Sequence, residues 1–146
     1  MKKAQISVEY LLVLGLTLAL LIGVSYIFFQ YSKVSSEKIL KSEVNAIGNK
    51  IKTTAELVYS LGEGSMIKLE IKFPNELVSI DIIGRSEIMI TTEFSNGRSE
   101  SVFFSDIPIN GTMGIPPTIS IGQVHEGLNV ISVKSKGNWV EISAIT

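Results

Sequence analysis

The chain has 146 residues, a length typical of one domain with an appendage. Thirteen Lys and Arg residues against fourteen Asp and Glu residues give a net charge of -1. This balance argues against a nucleic-acid partner, which usually requires a basic excess. The chain contains no cysteine, which excludes a disulfide framework and any cysteine-based metal site.

Residues 10–29 form a run of twenty residues without a charge, and thirteen of them are Leu, Ile, Val or Phe. A helix of that length spans about 30 Å, which matches the hydrocarbon core of a bilayer. At about -0.3 to -0.6 kcal/mol each, these thirteen residues contribute roughly -4 to -8 kcal/mol toward insertion. We therefore expect a transmembrane helix surrounded by membrane lipid. The alternative is a buried helix of a soluble protein, but the run lacks the polar stripe typical of such helices.

An ordinary secretory signal peptide is a second alternative, because Lys2 and Lys3 form a short positive region before the run. The run is longer than the usual apolar region of about 7–15 residues, and residues 30–33 do not resemble a small-residue cleavage site. We therefore expect no cleavage after the run. The positive-inside rule places Lys2 and Lys3 in the cytoplasm, so the remainder of the chain should face outward.

Glu9 lies at the edge of the apolar run, where a carboxylate gains nothing from lipid. One interpretation is an interfacial position at the cytoplasmic headgroups. The other depends on Gln5 and Ser7, which precede Glu9 and follow the short basic leader 1–4. This arrangement resembles the class III signal peptide of archaeal type IV pilin-like proteins, whose pattern reads Q-x-S-x-E. Val13 stands where that family often has a leucine.

The resemblance implies a type IV pilin-like fold of the α+β class. Such a fold has a long amino-terminal α-helix with an apolar first half, followed by a small antiparallel β-sheet or sandwich domain. It also implies cleavage between Ala4 and Gln5 by a prepilin peptidase, after which the apolar helix stays on the mature chain. A pilus assembly ATPase and its membrane platform are further implied partners. No cofactor and no metal is implied.

The resemblance also gives Gln5 and Glu9 a role in assembly. After cleavage, Gln5 is the first residue and Glu9 the fifth, and in this family the fifth-residue glutamate is thought to meet the free amino terminus of a neighbouring subunit. A complementary charge would offset much of the cost of a carboxylate among apolar helices. Cleavage also removes Lys2 and Lys3, which leaves eleven basic and fourteen acidic residues and a net charge of -3.

The helical pattern continues beyond residue 29. Apolar residues recur at spacings of three and four, at Leu40, Val44, Ile47, Ile51, Ala55 and Val58. This stripe predicts one helix from about 5 to 61, with a hydrophobic transmembrane or filament-core part 5–30 and an amphipathic continuation 31–62. Gly62 and Gly64 supply the stop signal. We expect the stripe to pack on the chain's own β domain, whereas residues 10–29 require lipid or other copies of the chain.

An exterior β domain is predicted for residues 65–146, where the hydrophobic period changes to two. The pattern favours five to seven antiparallel strands. Two tight hairpins are predicted, one at Ser95-Asn96-Gly97-Arg98 and one at Lys136-Gly137-Asn138. The segment 108–117 contains three prolines and two glycines, which predicts an irregular surface loop.

Residues with reactive side chains show no catalytic arrangement, so we expect a protein that is not an enzyme. His125 is a lone histidine in a predicted turn, and no serine lies in a G-x-S-x-G motif. Trp139 is expected to begin the last strand and cap the core, with an exposed adhesive contact as the alternative. Asn110-Gly111-Thr112 matches the N-glycosylation sequon in the predicted loop, so Asn110 is a candidate modification site.

These observations favour a pilin, the structural subunit of a cell-surface filament used for adhesion. The precursor would lie in the membrane with its amino terminus in the cytoplasm, and the mature chain would form a helical homopolymer. Within this class, a major pilin, a minor pilin, a pseudopilin and an archaellum-related subunit stay open. The rival is a single-pass membrane-anchored binding module that does not polymerise, which would have no need of Gln5, Ser7 and Glu9 in this arrangement.

Overall fold

The computed structural model describes residues 2–94 and 97–145, with side chains from Val8 onward. The chain is an α+β protein in which one long helix precedes antiparallel β-sheets. Helix α1 runs from Lys2–Ser60 and therefore begins before Gln5, the predicted start. The chain divides into two compact units, Met1–Ile39 and Leu40–Thr146. In its described residues, the first unit consists of α1 alone.

The end of α1 follows the predicted stop signal. The amide of Leu61 donates to the carbonyl of Leu57 at 3.0 Å, and the amide of Gly62 donates to the carbonyl of Tyr59 at 3.1 Å. Gly62 has a φ of 91°, in the left-handed region that terminates helices and that glycine adopts without strain. The hydroxyl of Ser65 then donates to the carbonyl of Val58 at 2.7 Å, which fastens the start of the β region to the helix.

The second unit contains nine strands within the described residues, two more than the largest number expected. They are β1 Met66–Phe73, β2 Leu77–Ile83, β3 Glu87–Phe94, β4 Gly97–Phe104, β5 Ile109–Asn110, β6 Met113–Ile115, β7 Thr118–Ser120, β8 Gly127–Ser135 and β9 Val140–Ile145. They form a four-stranded sheet in the order β1-β8-β9-β5 and a five-stranded sheet in the order β4-β3-β2-β7-β6. All pairs are antiparallel except β5 with β9, which is parallel.

The extra strands lie mainly in the segment 108–117, where an irregular loop was expected. Ile109 is fully buried and pairs with Val140, and Met113 pairs with Ser120. The prediction of a surface loop is therefore wrong for part of this segment. Prolines and glycines limit the strands to two or three residues, and strands this short leave no alternating pattern in the sequence.

Strand β2 departs from the predicted alternation at Val78. Ile80 and Ile82 are buried as expected, but Val78 is 42% exposed. The pairing of β2 with β3 shifts register between Leu77 and Ser79. Val78 is the extra residue of this β-bulge, so its side chain leaves the face that carries Ile80 and Ile82.

The predicted hydrophobic stripe of α1 is confirmed as part of the core of the second unit. Its six residues from Leu40 to Val58 are at most 8% exposed, and they join one cluster with buried residues of both sheets. Gly48 lies where this helix surface meets β4, because a Cβ atom there would lie 2.3 Å from the Phe103 ring. The absence of a side chain at Gly48 therefore allows the close approach of Phe103.

Both predicted hairpins are present. Phe94 pairs with Gly97, while Ser95 and Asn96 of the first turn lie outside the described residues. In the second hairpin Ser135 pairs with Val140, and the amide of Lys136 donates to the carbonyl of Trp139 at 2.8 Å. Trp139 therefore lies in the turn, one residue before the strand it was expected to begin, and its side chain is half-buried.

The stripe supports a stability prediction for the full chain in detergent micelles. Ile51 is fully buried, so Ile51→Ala should lower the free energy of unfolding by about 2–5 kcal/mol. Leu57 on the same helix is 50% exposed, and Leu57→Ala should cost only about 0.5–1 kcal/mol. Denaturant unfolding followed by the fluorescence of Trp139, the single tryptophan, measures both changes. Equal losses for the two variants would contradict the packing of this stripe.

Candidate functional site

The apolar segment 10–29 is the candidate functional site, because nothing in its own unit covers it. Residues 8–34 are all exposed, and the large apolar side chains between Val8 and Phe29 have 44% to 70% of their surface accessible. A monomeric soluble protein rarely exposes a continuous apolar surface of this extent. The accessible surface surrounds the helix, as expected for a segment that contacts lipid or other helices on every side.

Thr17, a polar residue within the apolar segment, does not oppose removal of the helix from water. The hydroxyl of Thr17 donates to the carbonyl of Val13 one turn earlier, so the hydroxyl is satisfied inside the helix. Just beyond the strongest apolar stretch, the side-chain amide of Gln30 donates to the Tyr26 hydroxyl at 3.1 Å. Backbone groups are satisfied because α1 is continuous through the segment.

Glu9 is an exposed side chain of α1 at the amino-terminal border of the apolar segment. Among the side chains that the structure describes, Glu9 has no hydrogen-bond or ion-pair partner. Ala4, Gln5 and Ser7 lie in the helical backbone, but their side chains are outside the described part. A carboxylate one residue before twenty uncharged residues enters an apolar environment only with a partner, and the described residues do not supply one.

The predicted glycosylation site lies at the end of β5. Asn110 is half-buried, and its side-chain oxygen accepts the amide of Gly111 at 3.1 Å. The hydroxyl of Thr112 donates to the carbonyl of Ile121 at 3.3 Å. All three residues of the sequon are therefore part of a hydrogen-bonded segment and not of an open loop. Modification of Asn110 stays a prediction.

His125 lies in the exposed turn before β8 and contributes its backbone to a structural contact. The side-chain oxygen of Asn129 accepts the His125 amide at 3.1 Å, while its amide nitrogen donates to the carbonyls of His125 and Gly127. Asn129 is 4% exposed, so these three bonds satisfy a buried amide group. No group of three or more His, Asp or Glu residues in the described chain could hold a metal ion.

Sequence patterns did not identify which strands end each sheet. Strands β1 and β5 end one sheet, and β4 and β6 end the other. Lys50 of α1 donates from Nζ to the Glu70 carbonyl of β1 at 3.3 Å. In the sequence Lys50 is only a charge beside the apolar stripe. Strand order depends on contacts between distant residues, so no local signal could have revealed this bond.

No family model, curated protein or solved structure matches the chain. By length and composition, α1 is long and apolar enough to cross a membrane, and none of its most apolar window is buried. The described fold therefore supports a chain with one amino-terminal helix suited to a membrane and one folded α+β unit.

Membrane insertion of the segment can be tested with charges at its centre. The double substitution of Leu18→Arg and Leu21→Arg should cost about 6–8 kcal/mol, which cancels most of the insertion free energy. We expect this variant to leave the membrane fraction after alkaline carbonate extraction. The double substitution of Val34→Arg and Ile39→Arg lies outside residues 10–29 and should leave the chain in the membrane. Retention of both variants would exclude residues 10–29 as the span.

Proposed function

We propose that the chain is the precursor of a type IV pilin-like subunit that polymerises into a cell-surface filament. Its leader 1–4 is removed by a prepilin peptidase between Ala4 and Gln5. The apolar segment first lies in lipid and then packs against the same segment of other copies. The α+β unit that begins at Leu40 forms the outer part of the filament and makes the adhesive contacts.

The uncovered apolar segment is the observation that carries this proposal. A helix exposed on all sides from residue 8 to residue 34 needs a partner outside its own unit. Lipid satisfies that need for a precursor, and identical helices satisfy it for a polymer. The same helix continues into a folded unit, where six of its residues belong to the core. Any assembly through the apolar segment therefore carries the folded unit with it.

The position of Glu9 favours polymerisation over simple anchoring. A membrane anchor gains nothing from a carboxylate at the first turn of its span. In a polymer the same carboxylate can accept the amino group that cleavage creates at Gln5 of a neighbouring copy. Such a pair sets the register between subunits, which a uniform apolar surface cannot do. The arrangement of Gln5, Ser7 and Glu9 is the sequence feature that distinguishes these two functions.

Proteolytic processing provides the first test. The full chain produced with an archaeal prepilin peptidase should yield a mature protein that begins at Gln5, determined by amino-terminal sequencing and intact mass. An inactive peptidase variant is the matched control and should leave Met1 in place. A chain that keeps residues 1–4 with the active enzyme would be a membrane-anchored module instead.

The role of Glu9 can be separated from processing and insertion. Glu9→Gln keeps the size and removes the charge, so the chain should still enter the membrane. We expect loss of sheared surface filaments, because the loss of one partner from a buried charge pair costs about 3–5 kcal/mol per contact. Glu43→Gln, at an exposed position of the second unit, is the control and should assemble normally. Normal filaments from Glu9→Gln would remove Glu9 from the assembly mechanism.

A further inference from the structure

The two longest free strand edges of the second unit belong to β1 and β4. Strand β1 ends the four-stranded sheet, and β4 ends the five-stranded sheet. Each has eight residues, whereas β5 and β6 at the opposite edges have two and three. An exposed edge of this length is a template for another strand, since its outward amides and carbonyls have no strand partner.

Hydrogen bonds of the two edges identify which residues face outward. Lys50 binds the carbonyl of Glu70, so that carbonyl points away from β8. By alternation, Met66 and Lys68 also direct their backbone groups to the free edge. Just after β4, the amide of Ser105 donates at 2.7 Å to the carbonyl of Ser86, which directly precedes β3. The backbone groups of Ser105 therefore face β3. Alternation then turns the even-numbered residues of β4 outward, namely Arg98, Glu100, Val102 and Phe104.

The outward residues of the two edges carry complementary chemistry. Read from Glu70 backward, β1 presents an acid, a base and an apolar side chain, in the order Glu70, Lys68 and Met66. Read forward, β4 presents a base, an acid and an apolar side chain, in the order Arg98, Glu100 and Val102. Met66 is 51% exposed and Val102 is 42% exposed. An antiparallel pairing of the two strands therefore places each group opposite a suitable partner.

The charged residues at the two edges form few ion pairs within the described part of the chain. In the described residues, Lys68, Glu70 and Glu100 form no ion pair within the chain. Nε of Arg98 lies 3.8 Å from Oε1 of Glu93, but both side chains are mostly exposed, with 66% and 59% of their surface accessible. Such a pair contributes little and leaves the Arg98 guanidinium free to bind a second carboxylate.

Only one antiparallel register satisfies all three positions. A shift of two residues in one direction places Arg98 opposite Lys68, and a shift in the other direction places Glu100 opposite Glu70. Like charges directly opposite each other destabilise a strand pair. A shift of one residue in one strand would bring the side chains of its buried face to the exposed face of the joined sheet. The charges therefore specify the register as well as the partner.

We infer that β4 of one copy adds to the β1 edge of a second copy, with Arg98 opposite Glu70, Glu100 opposite Lys68 and Val102 opposite Met66. The contact joins two different edges, so an array of copies keeps one free β1 edge at one end and one free β4 edge at the other. A heterologous contact of this type is not limited to two copies and builds a ring or an open chain. Lys50 has to release the Glu70 carbonyl, and until then its side chain protects the edge.

The contact requires only two copies in one membrane, and it rests on the proposed function only for its place in a filament. Paired in this way, β1 and β4 connect the outer units of neighbouring subunits, in addition to any contact between apolar helices. Charge pairs at the edge would give the outer layer a defined order. The partner in this contact is a second copy of this chain.

Cysteine cross-linking tests the inferred contact, because the natural chain has no cysteine. Opposed residues of a hydrogen-bonded antiparallel pair have Cα atoms about 5.5 Å apart, within the range for a disulfide. The full chain with Met66→Cys and Val102→Cys together should form a ladder of dimers, trimers and larger species in oxidised membranes. Each single-cysteine variant should stay monomeric. In a control pair of Val102→Cys and Leu128→Cys, Leu128 is more exposed than Met66 but is not opposite Val102, so this pair should give no ladder.

The single-cysteine variants decide between edge pairings. Dimers of Val102→Cys alone would mean that β4 pairs with β4, and dimers of Met66→Cys alone would mean that β1 pairs with β1. Either result, or the absence of a ladder from the double-cysteine chain, overturns the inference. All substituted positions are exposed, so we expect each variant to fold. An unchanged midpoint of the unfolding transition confirms that it does.

Charge exchange tests the register in the same double-cysteine background. Lys68→Glu alone and Glu100→Lys alone each place like charges opposite each other and should weaken the ladder. The two substitutions together restore an opposite pair and should restore the ladder. A ladder of unchanged intensity after both single exchanges would contradict the assigned register. Cleavage after Ala4 is measured separately, so failure of the pilin proposal and failure of the edge contact give different results.

Discussion

The apolar surface of residues 10–29 determines which surroundings, lipid or other helices, the chain requires. Twenty residues without a charge form a helix whose side chains are exposed on every side, and no other part of its unit contacts them. Contact between that apolar surface and water is unfavourable, so the free energy of the chain falls only when lipid or other helices cover the surface. In the proposed function, membrane insertion and self-association both follow from this surface, in two different environments.

The second half of α1 solves the same physical problem within the chain. From Leu40 the apolar residues narrow to one stripe, which shares one hydrophobic core with buried residues of both sheets. Gly48 omits a side chain where Phe103 approaches, and Ser65 fastens the first strand to the helix end. One continuous helix thus has an uncovered half that requires partners and a covered half that holds a folded unit. This division suits a subunit that assembles by its helix and presents its folded unit at the surface.

Local patterns predicted the parts of this structure that depend on local periodicity. The helix stripe, the helix end at Gly62 and both hairpins follow from spacing and from turn residues, and the structure contains all of them. The β-bulge at Val78, the parallel pair of β5 with β9 and the burial of Ile109 depend on neighbours that are distant in sequence. The role proposed for Glu9 depends on its position in the sequence alone, whereas the inferred pairing of β1 with β4 required knowledge of strand order.

The most direct test of the account is to locate the apolar segment in sheared surface material. Leu21→Cys introduces the only thiol of the chain, at a position that is 59% exposed in the single copy. The account predicts that the mature chain appears in lipid-free filaments and that this cysteine resists a water-soluble maleimide until the filaments are dissociated. Recovery of the chain only in lipid membranes, with no lipid-free polymer, would contradict the exchange of lipid for other copies on which the account depends.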